Sequence, residues 1–147
     1  MKLLKIVALG TVLASGAAFA EGDATDPAAI EREKVMKAIG GAMGTLGGMA
    51  KGEIPYDAAA AEAAKAALIT ASGGVAAAFE TQGGEDATSE AKPDIWTSWE
   101  DFVKKSDAMT AAATAADVSS VEAIGASLGA IGGTCKDCHT TYRVMKQ

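Results

Sequence analysis

Steps of three and four residues alternate without a miss through Val121, Ile124, Leu128, Ile131, Cys135, Cys138, Tyr142 and Met145. That rhythm is the period of a left-handed helix-bundle seam. It demands a long helix whose apolar stripe faces other helices. Ser119 and Glu122 stand three apart at its start and predict a capping box. The two cysteines fall on the stripe, so whatever they bind is held in or against the bundle, near the end of this last helix.

The cysteines belong to Cys135-Lys136-Asp137-Cys138-His139, a C-x-x-C-H sequence. This is the attachment signature of a c-type haem. Two thiols add across the two vinyl groups, and the adjacent imidazole reaches the iron as proximal ligand. Helix positions i, i+3 and i+4 share a face, so Cys135, Cys138 and His139 address one macrocycle. The chain has two cysteines and one histidine in all. A zinc site needs about four ligands, and this motif offers three. A redox dithiol of the thioredoxin kind follows a strand, and the sequence has no strand pattern before Cys135.

Three further helical segments precede this one in an alanine-rich chain. The first is expected over Pro27 to Lys51, capped by Asp26 with Pro27 at the first turn. Its stripe is Ile30, Met36, Ile39, Met43, Leu46 and Ala50. Gly40, Gly41, Gly44, Gly47 and Gly48 suggest the close approach of a helix or a flat cofactor. The second runs from Asp57 to Phe79, with Ala61, Ala64, Leu68, Ser72, Val75 and Phe79 inward. The third runs from Pro93 to Ala116 and presents Trp96, Trp99, Phe102 or Val103, Ser106, Met109 and Ala113. Glu80 to Lys92 is the longest connection and the candidate for greatest mobility. Four such helices with short loops predict an all-α, antiparallel up-down-up-down four-helix bundle.

Residues 1–20 read as a cleaved signal peptide. Lys2 and Lys5 precede an apolar run, and Ala18-Phe19-Ala20 is an A-x-A cleavage site. The mature domain is then 21–147. Loss of Lys2 and Lys5 takes the formal charge from −6 to −8. Such a chain is a poor ligand for nucleic acid or anionic membrane. A basic docking surface on a redox partner suits it better, although solubility alone explains the acidity equally well. After Ala20 no apolar run is long enough to span a bilayer.

A C-x-x-C-H on the fourth helix of a bundle resembles the class II c-type cytochromes, the cytochrome c′ family, which is itself a standard instance of this architecture. Ile30-Glu31-Arg32 through Met36-Lys37, Gly40-Gly41-Ala42-Met43, Ile95-Trp96, and Gly132-Gly133-Thr134-Cys135 to Tyr142-Arg143 carry the likeness. The last stretch is the specific one.

The resemblance implies one covalent haem c, export to a bacterial periplasm and a role in electron transport. It also implies a first helix that crosses the distal haem face. The position four after its arginine points at the iron; here Arg32 leads to Met36. In the low-spin branch, similar to cytochrome c-556, that residue is a methionine bound to iron. In five-coordinate members it is a bulky gate over an open site that binds nitric oxide or carbon monoxide. Both roles stand open for Met36, and core filling is a third.

The family likeness also matches Arg32 to a haem propionate and Arg143 to the basic residue on the proximal side. For each, a solvated surface charge is the plain alternative. Trp96 reads first as core and second as a wall of the haem. Homodimerisation through the first two helices is common in the family. A haem enzyme such as a peroxidase is disfavoured, because no acid–base group is apparent near Met36.

Overall fold

Asp26 starts the first helix as the composition suggests. Its carboxylate accepts the N–H groups of Ala28 and Ala29, and Pro27 occupies the first turn. The computed structural model describes residues 23–145, so the leader expected over 1–20 lies outside the described residues. Helix α1 spans Pro27–Lys51 and ends at Gly52, whose φ of 72° is the left-handed cap that glycine adopts without penalty. The elements that follow are α2 Ala58–Gly73, α3 Val75–Phe79, α4 Asp94–Thr97, α5 Trp99–Ala115 and α6 Val121–Tyr142.

These make four rods, because α2 continues into α3 and α4 into α5. Each of the long helices α1, α2, α5 and α6 packs on two others, α1 on α2 and α6, and α5 on α2 and α6. The result is the all-helical antiparallel bundle. No strand occurs among the described residues. The one β feature is an isolated antiparallel bridge between Ala91 and Arg143.

The two extra breaks have local causes. The Gly73–Gly74 pair lacks the side chains that favour helix, and α2 closes there before Val75 resumes the turn. At Ser98 the backbone leaves the helical region (φ −125°, ψ 42°), separating the Trp96 turn from α5. The start of α6 differs by one residue from the expected capping box. Ser120, not Ser119, is the N-cap, and its hydroxyl accepts the Ala123 N–H at 3.1 Å. Asp117 instead takes the Ser119 N–H.

The second-helix stripe is buried at all six positions. Two residues placed on stripes are exposed: Ile30 at 41 % and Met145 at 68 %. In α1 the buried set includes Ala29, Arg32, Ile39, Ala42, Leu46 and Met49, which turns Ile30 outward. Met145 lies beyond the end of α6. The glycines of α1 do not mark close packing within the chain. A Cβ at Gly40, Gly41, Gly44 or Gly47 would meet nothing within 4 Å; only at Gly48 does a neighbour, Ile54, press at 3.2 Å.

The core has two parts. Leu46, Met49, Ala61, Ala64, Val118 and Ile124 fill one. The larger contains Leu68, Val75, Phe79, Ile95, Phe102, Met109, Ile131 and Tyr142, and Met36, Cys135 and Cys138 pack against it.

The 80–92 connection is pinned along its length. Asp26 Oδ2 accepts from Gly84 N–H, and Asp86 Oδ2 accepts from the N–H groups of Thr25 and Asp26. Gly83 adopts φ 74°, and a Cβ there would collide with the Asp26 carboxylate and Ala28. The Asp26 N–H, the Thr88 hydroxyl and further N–H groups hold Asp86 well below the usual carboxylate range; the Gly84 and Ala29 N–H groups do the same for Asp26. A carboxylate depressed in the folded state stabilises fully above its unfolded pKa of about 4 and loses that contribution as pH falls. Asp86→Asn is therefore expected to unfold at lower urea than the parent at pH 7, with the gap closing as pH drops below about 4. A gap that persists unchanged in acid would show that the charge is not what matters.

Candidate haem site

Helix α6 sets Cys135, Cys138 and His139 on one face, within its last two turns. Facing them are Met36 and Ile39 of α1, Val75 of α3, and Lys105, Ser106 and Met109 of α5. With Thr134 these residues line a single narrow cavity of about 40 Å³. Two thiols, one imidazole and two thioethers thus line one cavity, whose walls come from α1, α3, α5 and α6. This donor set would suit a covalently held haem, with Cys135 and Cys138 providing the thioether links and His139 an iron ligand. Cys135 Sγ lies 4.0 Å from Met109 Sδ, so a second thioether sits beside the first thiol.

Burial governs the protonation of the motif. Cys135 is pushed up chiefly by desolvation, and Cys138 to about 11 by the same cause. Both are half-buried free thiols in the protein chain. His139 is pushed down, first by burial and next by the Arg143 charge, with Glu90 opposing. Its imidazole is neutral at pH 7, the form that ligates metal. Asp137, inside the motif, pairs with Lys105 across the rim at 2.5 Å. Its hydrogen bond is the main cause of the raised Lys105 pKa.

Arg32, Trp96 and Arg143 do not line the cavity. Arg32 and Trp96 form a group of their own. Arg32 is 5 % exposed, so it is not a solvated surface charge. Its guanidinium lies 5.4 Å from the Trp96 ring and 5.8 Å from Phe79, within the range of cation–π attraction. Nη1 donates to the carbonyls of Thr81 and Gln82 at 3.1 and 3.0 Å. Nε is buried and has no acceptor among the described residues. The Trp96 indole N–H donates to Phe79 O at 2.8 Å. Trp96 thus acts as a plate behind Arg32 as well as core. Arg143 is half-exposed and paired with Glu90.

Sequence reasoning overlooked Lys105, Thr134 and Glu90. Lys105 sits next to Ser106 on the inward stripe, and that adjacency was the available signal. Glu90 reaches the site only through tertiary pairing, which spacing does not encode.

The sequence model of the Cytochrome C′ family matches residues 28–143. The chain belongs to the cytochrome c′ family. It is 37 % identical to the cytochrome c-556 of Agrobacterium fabrum (strain C58 / ATCC 33970), with 99 % of each chain covered. It resembles an NMR-validated structural model of oxidised R. palustris cytochrome c556, with a TM-score of 0.73 and 27 % identity over 82 % of this chain and 98 % of that one. A nitric oxide complex of a mutant cytochrome c prime from Alcaligenes xylosoxidans gives a TM-score of 0.69 and 30 % identity, over 80 % and 94 %. Members bind haem c covalently and carry electrons rather than turn over a substrate. The described residues hold no helix long and apolar enough to cross a membrane.

Proposed function

We propose that the protein is a periplasmic one-electron carrier of a Gram-negative bacterium whose haem iron has His139 and Met36 as axial ligands. The carrying observation is that Met36, on the neighbouring helix α1, lines the same cavity as Cys135, Cys138 and His139. Cys135 and Cys138 provide the two thioether links. The haem supplies the reversible ferric–ferrous couple. A methionine opposite histidine raises the reduction potential.

The surrounding residues support that assignment. Arg32 Nε needs an acceptor, and a haem propionate has the right charge for it. Trp96 stacks behind that guanidinium and keeps it in place. Arg143 stands on the proximal side, one helical turn after His139. Residues 1–20 are taken as the export signal and 21–147 as the working domain. The acidic charge favours redox partners with basic docking surfaces.

A homodimer through the first two helices is supported by an open groove of about 880 Å³ between α1 and the α2–α3 rod. Val35, Ala38, Ala67, Ala71 and Ala78 make its floor largely apolar. Sedimentation of the holoprotein tests this; a monomer at high micromolar concentration would remove it.

The second reading is a five-coordinate protein that binds nitric oxide or carbon monoxide, with Met36 only a steric gate. The nitric oxide complex known for the Alcaligenes relative favours it. Visible spectra of the ferric and ferrous holoprotein, with and without carbon monoxide, separate the two. Sharp low-spin bands that ignore carbon monoxide support Met36 ligation. High-spin bands that shift with the gas support the gate.

A further inference from the structure

We propose that Glu90 is a positioning residue for the iron site: it anchors the Arg143 guanidinium one turn beyond His139 and supplies the negative half of a charge pair that sets the field at that imidazole. The inference rests on His139 being an iron ligand and is independent of Met36.

Helix α6 closes at Tyr142, and Arg143 turns into extended backbone (φ −110°, ψ 136°) while its N–H still donates to His139 O at 3.0 Å. The 90–92 segment then pairs with this exit. Lys92 N–H donates to Tyr142 O at 2.9 Å, and Val144 N–H donates to Glu90 O at 2.7 Å. Glu90 and Arg143 are thus fixed to each other by backbone before their side chains meet. Arg143 Nε and Glu90 Oε2 are 2.5 Å apart. The Glu90 side chain is 24 % exposed and that of Arg143 47 %.

The same connection reaches the other axial side. Arg32, four residues before Met36, binds the carbonyls of Thr81 and Gln82 at the start of the segment. Arg143, four residues after His139, binds its end. One connection therefore bridges the two helices that carry the candidate ligands.

A half-exposed ion pair adds little stability. Its two charges still act in opposite senses on their surroundings: Arg143, whose N–H is bonded to His139 O at 3.0 Å, repels positive charge there, and Glu90, paired with it, attracts positive charge. The same signs apply to a positive charge on the iron. Removing Glu90 favours the ferrous state, and removing Arg143 favours the ferric state.

The test is a set of reduction potentials on holoproteins at low salt. Glu90→Gln is expected to shift the potential up and Arg143→Gln to shift it down. Each changes the ferric-to-ferrous ratio at fixed poise by about two- to fivefold. The double variant returns close to the parent, and Glu90→Asp retains most of the parent value. Both single shifts shrink in high salt. Single variants that shift in the same direction, or a Glu90→Gln potential equal to the parent's, would overturn the proposal. Carbon monoxide spectra on the same samples report on Met36 separately. Gas binding by the parent with opposed potential shifts defeats only the Met36 reading. Gas exclusion without those shifts defeats only the role of Glu90.

Discussion

Met36→Leu is expected to convert the holoprotein from a low-spin form that excludes carbon monoxide to a high-spin form that binds it. Leucine keeps the apolar bulk of the position and removes its only donor, the thioether sulfur. Packing therefore changes little; such a swap costs less than about 1.5 kcal/mol. The electronic effect is much larger. Loss of a soft ligand that favours ferrous iron lowers the reduction potential, by on the order of 0.1 V within the roughly 0.8 V that axial ligands span. Met109 supplies a control, because it lines the same cavity and stands 4.0 Å from Cys135 Sγ. Met109→Leu is expected to leave the low-spin bands in place. If it instead abolishes them while Met36→Leu does not, the ligand has been assigned to the wrong helix. If neither variant changes the spectrum, the sixth position belongs to neither methionine.

The helical stripes were legible because period and burial speak the same language. In α2 and α3, Ala61 through Phe79 were read from spacing alone, and all six are inside. On α6 the seam ran past the real end of the helix. Met145 continues the rhythm, but Arg143 is recruited into pairing with the 90–92 segment and the chain leaves the bundle. On α1 the error has another origin. Spacing favoured Ile30, whereas the fold turns Arg32 inward to bind two carbonyls beneath an aromatic plate. An apolar-stripe argument does not find a buried guanidinium, because the gain comes from partners far along the chain. Of the candidate site, Cys135, Cys138 and His139 are legible in the motif and Met36 only through the family likeness, and these four share one cavity, whereas Arg32, Trp96 and Arg143, which the likeness also suggests, do not line it. Lys105 and Glu90 were not, since each enters through a contact across more than thirty residues.

Phe102→Ala is expected to be the most destabilising single truncation in the core, because Phe102 joins three of the rods. The side chain is 2 % exposed. Its ring centroid lies 5.1 Å from Phe79 of α3, 5.6 Å from Trp99 of its own helix, and 5.4 Å from Tyr142 of α6, the last edge-on at 83°. A buried phenylalanine cut to alanine costs about 3–5 kcal/mol, and aromatic pairs add about 0.5–1.5 kcal/mol each beyond area. Whole-domain stability is only about 5–15 kcal/mol. The unfolding midpoint of the holoprotein should therefore fall by roughly 10–25 °C for a domain of this size. Phe102→Leu retains most of the volume and is expected to recover more than half of the loss. The consequence reaches the site as well. Tyr142 is three residues after His139, and its hydroxyl donates to Asp101 Oδ2 at 2.7 Å, next to Phe102. A cavity at 102 removes the surface against which that last turn of α6 rests, so His139 loses a support it does not touch. A Phe102→Ala protein with an unchanged midpoint would mean that the covalent haem, and not the aromatic cluster, holds α5 and α6 together.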